Sequence, residues 1–401
     1  MSTSDVKGEM ALFPDLPSEN AETGKLEGML PSQEIRELIA KGSIQAPSSG
    51  VTEKQIQPAS LDLRLGDIAY RVQASFVPQN STVEAGIREL GLKITTVDLT
   101  RATVFEKGCV YIVPLLEELN LPEDTSAWAN PKSSTGRLDI FTRLITDYGV
   151  AFEKVRPGYK GRLFAEIASR TFTIAVRAGV TLNQLRFIRG KPKPSDSATK
   201  ALEKAEWAKD EALVYGEEGN PEKALIDKQS IKLSVNLRGS DASEIVAYKA
   251  RENTPVIDLA NINHYDPQDF WDIRHDPGKR GLILDPGGFY ILASKERLSI
   301  PPDWAAEMVS MDQDIGEFRI HYAGFFDPGF GYGAGDSDLK GTRAVLEVRA
   351  HEVPFLIEHG QIMGRLKYFP LIARPDKIYG TQIGSSYQRQ GLALSKHFKR
   401  S

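Results

Sequence analysis

At 401 residues the chain exceeds what one ordinary hydrophobic core supports, which predicts two or three domains. Charged residues make up 26% and hydrophobic residues 41%, and no apolar run approaches the length of a bilayer span, so a membrane-spanning reading is excluded. The net charge of −4 comes from interspersed acids and bases, leaving no electrostatic footprint for a long nucleic acid but allowing a local cluster to hold a small anion.

The N-terminus "MSTSDVKGEMALFPDLP" lacks a basic segment followed by an apolar one, so a cytoplasmic location is expected. Residues 1–30 read as weakly ordered. "SQEIRELIAKG" then offers Ser32 as an N-cap, Glu34 in the first turn and a glycine stop, which predicts a short helix. The single cysteine, Cys109 in "CVYIVPL", forbids an intrachain disulfide and reads as a buried free thiol.

From there the chain is written twice. "ASLDLRLGD" at Ala59 is answered by "LSVNLRGSD" at Leu233, and "GCVYIVPLLEELNLP" at Gly108 by "GGFYILASKERLSIP" at Gly287. "GRLFAEIASRTFTIAVRAGVTLNQLRF" is answered by "GTRAVLEVRAHEVPFLIEHGQIMGRLKYF", pairing Glu166 with Glu347 and Gly179 with Gly360. A period this long, seen twice, means a duplicated domain rather than a solenoid. Short runs such as "CVYIV", "LFAEIA", "GFYILA" and "AVLEVRA" are rich in β-branched and aromatic residues and bounded by Gly and Pro. Each copy therefore reads as an all-β sandwich or barrel of the jelly-roll type.

The expected layout is a first domain at 31–190, a linker at 191–226 and a second domain with a C-terminal tail at 227–401. In the linker, the charged, alanine-rich stretch from about Ala198 to Ala212 suits a surface helix.

One segment gathers groups suited to a polyphosphate. "PKSSTGR", from Pro131, sets Lys132, Ser133, Ser134 and Arg137 around a glycine, and phosphate oxygens take many donors and an arginine fork. The spacing of a P-loop is absent. Taken alone, the segment reads more readily as a polar turn with a helix or strand cap.

The order "PASLDLRLG", "KSSTGRL", "PGYKGRLFAEI", "AGVTLNQLRF" resembles the dCTP deaminase and dUTPase superfamily, and among its members the tandem, long-chain dCTP deaminases. The resemblance runs from about residue 31 to the C-terminus and is repeated in both halves. It implies two dUTPase-like domains, a phosphate clamp at Lys132, Ser133, Ser134 and Arg137, and a catalytic glutamate at Glu166 or Glu347. Lys132 stands where the family usually has arginine. The first copy has Arg156 where an aspartate would meet the deoxyribose. The second has lost the clamp, with Asp314 in the place of its second arginine, yet keeps Ala323 and Asp327 in "HYAGFFDPGFG" and alone carries the tail with Tyr379, Tyr387 and Gln390.

These complementary losses imply one site divided between the halves, the first holding the triphosphate and the second holding base, sugar and glutamate. The rival arrangement pairs like copies in a homo-oligomer, so that Glu166 works beside Ser133 and Ser134.

The resemblance implies dCTP as substrate and hydrolytic deamination to dUTP and ammonia. One cysteine, with neither H-x-E nor P-C-x-x-C, does not supply the ligand set of the zinc deaminases, so a carboxylate is expected to move the protons. Glu347, in the apolar run "AVLEV", has surroundings that raise a carboxyl pKa, although pairing with Arg343 or Arg349 would make it structural. Magnesium is expected to arrive on the triphosphate without protein ligands. The alternatives are dUTP diphosphatase or bifunctional activity, and a non-catalytic nucleotide-binding regulator. The six histidines show no ligand spacing.

Overall fold

The computed structural model describes residues 26–192, 195–239, 244–309, 318–320, 324–333, 340–350, 352–380 and 391–400. The fold is mainly β, and the pairing of its long strands is repeated between the halves. In the first half, strand Lys160–Ser169 lies between Val110–Asn120 and Ile140–Thr146, while Thr181–Arg189 pairs with both Leu61–Arg64 and Thr125–Pro131. In the second, Thr342–Ala350 pairs with Phe289–Leu298, and Ile362–Pro370 pairs with both Ser230–Ser234 and Trp304–Val309. Glu166 lies opposite Ile112 and Glu347 opposite Ile291, so the aligned glutamates occupy equivalent places in equivalent strands.

The halves share a core. Leu259, Phe270, Trp271, Phe289 and Phe398 pack into the same buried cluster as Leu63, Val113, Leu138 and Phe172. Ile257–Asp258 also adds to the first-half strand Ile174–Val176 in parallel. Phe398, near the C-terminus, meets Phe270 and Trp271 at ring-centroid distances of 5.4 and 5.8 Å, and Trp271 meets Phe172 at 5.4 Å. Edge-to-face packing of this kind adds to the burial of large rings, and it fastens the last residues of the chain across the boundary between the halves.

Four local expectations are revised. Pro31 stands at the N-cap position of the helix Ser32–Ala40 with no side-chain cap, and the Ser32 hydroxyl donates to Asp376. The glycine stop stands, with Gly42 at φ +72° and its N–H donating to the Ile39 carbonyl. Gly28–Met29, inside the segment read as weakly ordered, pairs with Ile188 and Arg189. The linker helix runs Asp196–Trp207, capped by the Ser195 hydroxyl, and buries Ala198, Leu202 and Glu206 against the second half, so only part of it is a surface helix. It ends short of Ala212 because Asp210 turns to φ +58° and Val214–Tyr215 pairs with Leu298 and Arg297. Cys109 is half-buried, with Arg71 donating to its sulfur at 3.0 Å. Among the described residues, no helix is long and apolar enough to cross a membrane.

Candidate active site

Strand Thr125–Pro131 ends in a proline, and the next residues make one helical turn, Ser133–Gly136, with Lys132 as its N-cap in extended conformation. The "KSSTGR" segment is thus a tight turn. It is fixed from below by Thr135, whose hydroxyl donates to the Leu182 carbonyl at 3.0 Å. Ser134 and Arg137 are buried. Lys132 reaches Asp62 of the "SLDLRLG" strand, and its ammonium also donates to the Thr181 hydroxyl at 3.2 Å.

Glu347 arrives at this turn from the other half. Side chains alternate across a strand, so Ala344, Leu346 and Val348 of Thr342–Ala350 enter the second-half core while Arg343, Val345, Glu347 and Arg349 take the opposite face. That face meets the first half: a Cβ built on Gly136 would stand 2.9 Å from Glu347 Oε2 and 3.0 Å from Oε1. Burial pushes the Glu347 carboxyl up to about 8; the Arg137 guanidinium pulls it down and Asp139 pushes it further up.

The arginines on the Glu347 face are engaged elsewhere. Arg343 donates to the carbonyls of Ser294 and Lys295 at 2.8 and 2.6 Å. Arg349 crosses the boundary to Asp139 and to the Thr171 hydroxyl at 2.8 Å. The structural reading of Glu347 as one half of an Arg343 or Arg349 pair is therefore not the arrangement found.

Asp327 also comes from the second half and faces the start of the same turn. Its carboxylate lies 3.6 Å from Arg186 Nη2 and accepts from the Ala59 backbone N–H. Burial raises its pKa, opposed by Arg186. Tyr379 packs on the turn that follows Asp327: its N–H donates to the Pro328 carbonyl at 2.9 Å and its ring sits 5.6 Å from that of Phe330.

Glu166 has a different setting. Arg143 donates to its Oε1 through Nε at 3.1 Å and Nη2 at 2.6 Å, and also to Ser75 Oγ at 2.7 Å. The guanidinium lies 3.5 Å over the Phe152 ring. Beside Glu166, Phe164 and Ile112 pack with Val83 and Ile87 of the helix Val83–Glu89, a segment the first half inserts over that face. The structure thus gathers Lys132, Ser133, Ser134, Arg137, Asp327 and Glu347 around one turn and holds Glu166 apart. Ala323 and Gln390, together with Asp314, His321 and Tyr387, lie outside the described residues.

The C-terminal segment supplies contacts that the sequence did not flag. Arg137 donates to the Ala393 carbonyl at 3.1 Å, Ser395 Oγ donates to the Ser134 carbonyl at 2.8 Å, and His397 bridges Ser395 and the Leu259 carbonyl. Lys396 thus shares a cavity lining with Ser134 and Thr135 of the turn, a placement that no local spacing in "ALSKHF" announces. Asp139, which receives Arg349, was equally unannounced.

The family model described as the 2'-deoxycytidine 5'-triphosphate deaminase N-terminal domain matches residues 26–191, and that of the C-terminal domain matches residues 195–398. The chain belongs to the dCTP deaminase family. A solved dCTP deaminase from Agrobacterium tumefaciens is 46% identical with a TM-score of 0.79, over 86% of this chain and 99% of that one, so the likeness runs through both halves. A dCTP deaminase from Halorubrum lacusprofundi is 29% identical over 162 residues, covering 40% of this chain and 76% of its own length. A relative named dCTP deaminase, dUMP-forming, from Methanosphaera stadtmanae is 28% identical over 141 residues, covering 35% of this chain and 68% of its own. As a dCTP deaminase the chain is a hydrolase acting on the cytosine amidine of a nucleotide. Among the described residues no group of three or more His, Cys, Asp or Glu is placed to hold a metal.

Proposed function

We propose that the chain converts dCTP and water to dUTP and ammonia in a site shared by its two halves, with Glu347 as the group that moves protons. The observation that carries this reading is the burial of the Glu347 carboxyl against Gly136 and beside Arg137, in the turn that offers Ser133, Ser134 and Lys132. A carboxyl held near 8 retains its proton at neutral pH. It gives that proton to N3 of the cytosine, and the resulting carboxylate takes one from the water whose oxygen adds to C4. Passing that proton to the departing amine lets the C4–N4 bond break and releases ammonia, and the C4 hydroxyl returns its remaining proton to the Glu347 carboxylate as the uracil carbonyl forms. The balance closes with no other reactant, and a carboxyl poised near the working pH suits both directions of transfer.

In this reading Lys132, Ser133, Ser134 and Arg137 hold the triphosphate, while Ala323, Asp327, Tyr379 and Gln390 hold the nucleoside. Magnesium enters on the phosphate oxygens, completed by water. Each half is a dUTPase-like barrel of the jelly-roll type, and the duplicated chain is a pseudo-oligomer that presents its own subunit boundary. The enzyme works in the cytoplasm, supplying dUTP for the steps toward thymidylate. Glu166, clasped by Arg143, is a structural remnant. The names of dUMP-forming relatives favour a second reading in which pyrophosphate is also released.

Product analysis of the purified chain with dCTP and Mg²⁺ tests all of this. Wild type and Glu166→Gln are expected to release ammonia and dUTP, and Glu347→Gln to release neither while remaining folded. Loss of turnover only in Glu166→Gln would place the site within the first half. The appearance of dUMP and pyrophosphate would make the chain bifunctional. No turnover by wild type would favour a nucleotide-binding regulator.

A further inference from the structure

We infer that Asp139 and Arg349 are a positioning pair for Glu347, an ion pair across the boundary between the halves that seats its carboxyl against Gly136. The inference rests on the shared-site reading above, and both residues act through Glu347 rather than on the substrate. Arg349 follows Glu347 by two positions, so the two side chains leave the strand Thr342–Ala350 on one face. Asp139 follows Gly136 by three, and its N–H donates to the Gly136 carbonyl at 2.8 Å. The same strand and the same turn therefore meet twice, Glu347 at Gly136 and Arg349 at Asp139. Two contacts fix both the sliding of the strand along the turn and its tilt, which one contact leaves free.

Each member of the pair is held by its own half. The Thr171 hydroxyl donates to Asp139 Oδ2 at 2.6 Å, the Arg170 N–H donates to the Asp139 carbonyl at 3.1 Å, and the Asp139 backbone stands at φ +52°. Arg349 donates to the Gly287 carbonyl through Nη1, and through Nη2 to both Asp139 and the Thr171 hydroxyl, the latter at 2.8 Å. The Asp139 side chain is fully buried and that of Arg349 is 10% exposed, so little water weakens the pair, and the planar guanidinium fixes its direction. The internal repeat supplies a comparison. Glu166 is followed at the same distance by Ala168, and the copy without the arginine is the one whose glutamate is held apart.

Positioning and direct electrostatics predict different behaviour. Among the described side chains, the charges facing Glu347 are Arg137 and Asp139 from the turn and Arg343 and Arg349 from its own strand, with Ile291 opposite on the neighbouring strand. Acting as a charge alone, Asp139 would favour the protonated form of Glu347 and Arg349 the ionised form, so removing them would shift Glu347 in opposite directions. Acting as a pair that seats the carboxyl, either loss frees it from the buried contact with Gly136. Glu347 then ionises more readily in both variants.

The test compares Asp139→Asn, Arg349→Gln and Arg349→Lys with wild type in dCTP turnover, in kcat/KM against pH and in denaturation midpoint. Asn accepts the positive φ at 139 and keeps an oxygen for Arg349, while Gln at 349 keeps a donor without the charge. In Asp139→Asn and Arg349→Gln, kcat is expected to fall by roughly tenfold or more, and the limb near pH 8 to move to lower pH in both. Arg349→Lys, which keeps the charge, should restore much of kcat. Asp258→Asn removes another ion pair joining the halves, that with Arg177 at 2.6 Å, and should leave kcat unchanged, which separates loosened halves from a displaced carboxyl. Unchanged kcat in both variants, or limbs that move in opposite directions, would overturn the inference. A second readout needs no turnover: the gain of Glu347→Gln in denaturation midpoint between pH 5 and pH 8 should shrink when it is combined with Asp139→Asn or Arg349→Gln. If wild type fails to deaminate dCTP yet that gain shrinks in both backgrounds, the pair still seats Glu347 and the deaminase reading falls. An undiminished gain in both backgrounds sinks the inference whatever the turnover.

Discussion

Gly136 and Glu347 lie against each other across the boundary between the two halves, and the absence of a side chain at 136 is what admits the carboxylate. A methyl group there would meet Oε2 at 2.9 Å and Cδ at 3.0 Å. Those atoms end a flexible side chain, so a methyl group at 136 would displace the carboxylate instead of breaking the fold. Gly136→Ala is therefore expected to lower kcat by roughly tenfold to a hundredfold, the scale set by a misplaced proton-transfer group. Its melting temperature should stay close to wild type, because alanine favours a helical turn by about 0.5–1 kcal/mol over glycine. Steady-state kinetics beside a melting curve separate the two effects; unchanged kcat would mean that Glu347 is not positioned by this contact.

The raised Glu347 pKa makes two linked predictions. If the protonated carboxyl acts first, kcat/KM should fall as pH rises through about 8, with the same limb kept in Glu166→Gln. A rise through 8 instead would mean that the carboxylate form starts the reaction. Stability follows the same group. In the unfolded chain it ionises near 4.5, whereas in the folded chain it stays protonated to about 8. The folded state thus binds more protons within this window, and the group's contribution, complete below 4.5, is lost as pH rises to about 8. Glu347→Gln should remove that slope, so its denaturation midpoint should gain on wild type between pH 5 and pH 8. Glu153, also pushed up to about 8 by burial, adds a similar slope to both proteins, and so the difference between them is the measurement.

The duplication and both glutamates were legible because β-strand patterning and Gly–Pro punctuation are local signals, and the two copies print them in the same order. The complementary losses of the two copies pointed to Glu347 as the glutamate facing the other half, but no local signal did. Both lie in apolar strands at equivalent places; what separates them is the partner covering the strand, Arg143 and an inserted helix for Glu166 and the other half of the chain for Glu347. The Ser32 cap failed for a similar reason: the residue is drawn into the helix as its first member, and its hydroxyl donates to a tertiary acceptor, Asp376. Lys396 carries no local pattern at all, because its position comes from the docking of Phe398 and Ser395 onto distant residues.

The Arg143–Glu166 pair predicts a variant that loses stability without losing chemistry. Glu166 is almost fully buried and Arg143 a quarter exposed, so removing the arginine leaves a desolvated carboxylate with little recourse to water. Arg143→Ala is expected to cost about 2–3 kcal/mol in denaturant unfolding, below the range for a fully buried pair because of that exposure. Glu166→Gln, which keeps an acceptor for Arg143, should cost less. Both should deaminate dCTP at near the wild-type rate; a rate loss in Glu166→Gln larger than its stability loss explains would return the first half to the chemistry.

Asp327 carries two burdens, and its variants should separate them. Arg186 is wholly buried, stacks 3.9 Å over the Phe325 ring and donates to the Ala306 carbonyl at 3.0 Å. Burial lowers its pKa to about 10, and the nearby Asp327 opposes that fall. Asp327→Ala leaves this buried cation with only the weaker pull of Glu307, an expected loss of about 3 kcal/mol or more. Asp327→Asn keeps an oxygen for the Ala59 N–H and removes only the charge, so it should cost less in stability. If Asp327 also contacts the sugar, Asp327→Asn should raise KM for dCTP well beyond what its melting curve predicts, and 2',3'-dideoxy-CTP should bind wild type and variant alike. A KM that follows stability alone would leave Asp327 as the counter-ion of Arg186 and nothing more.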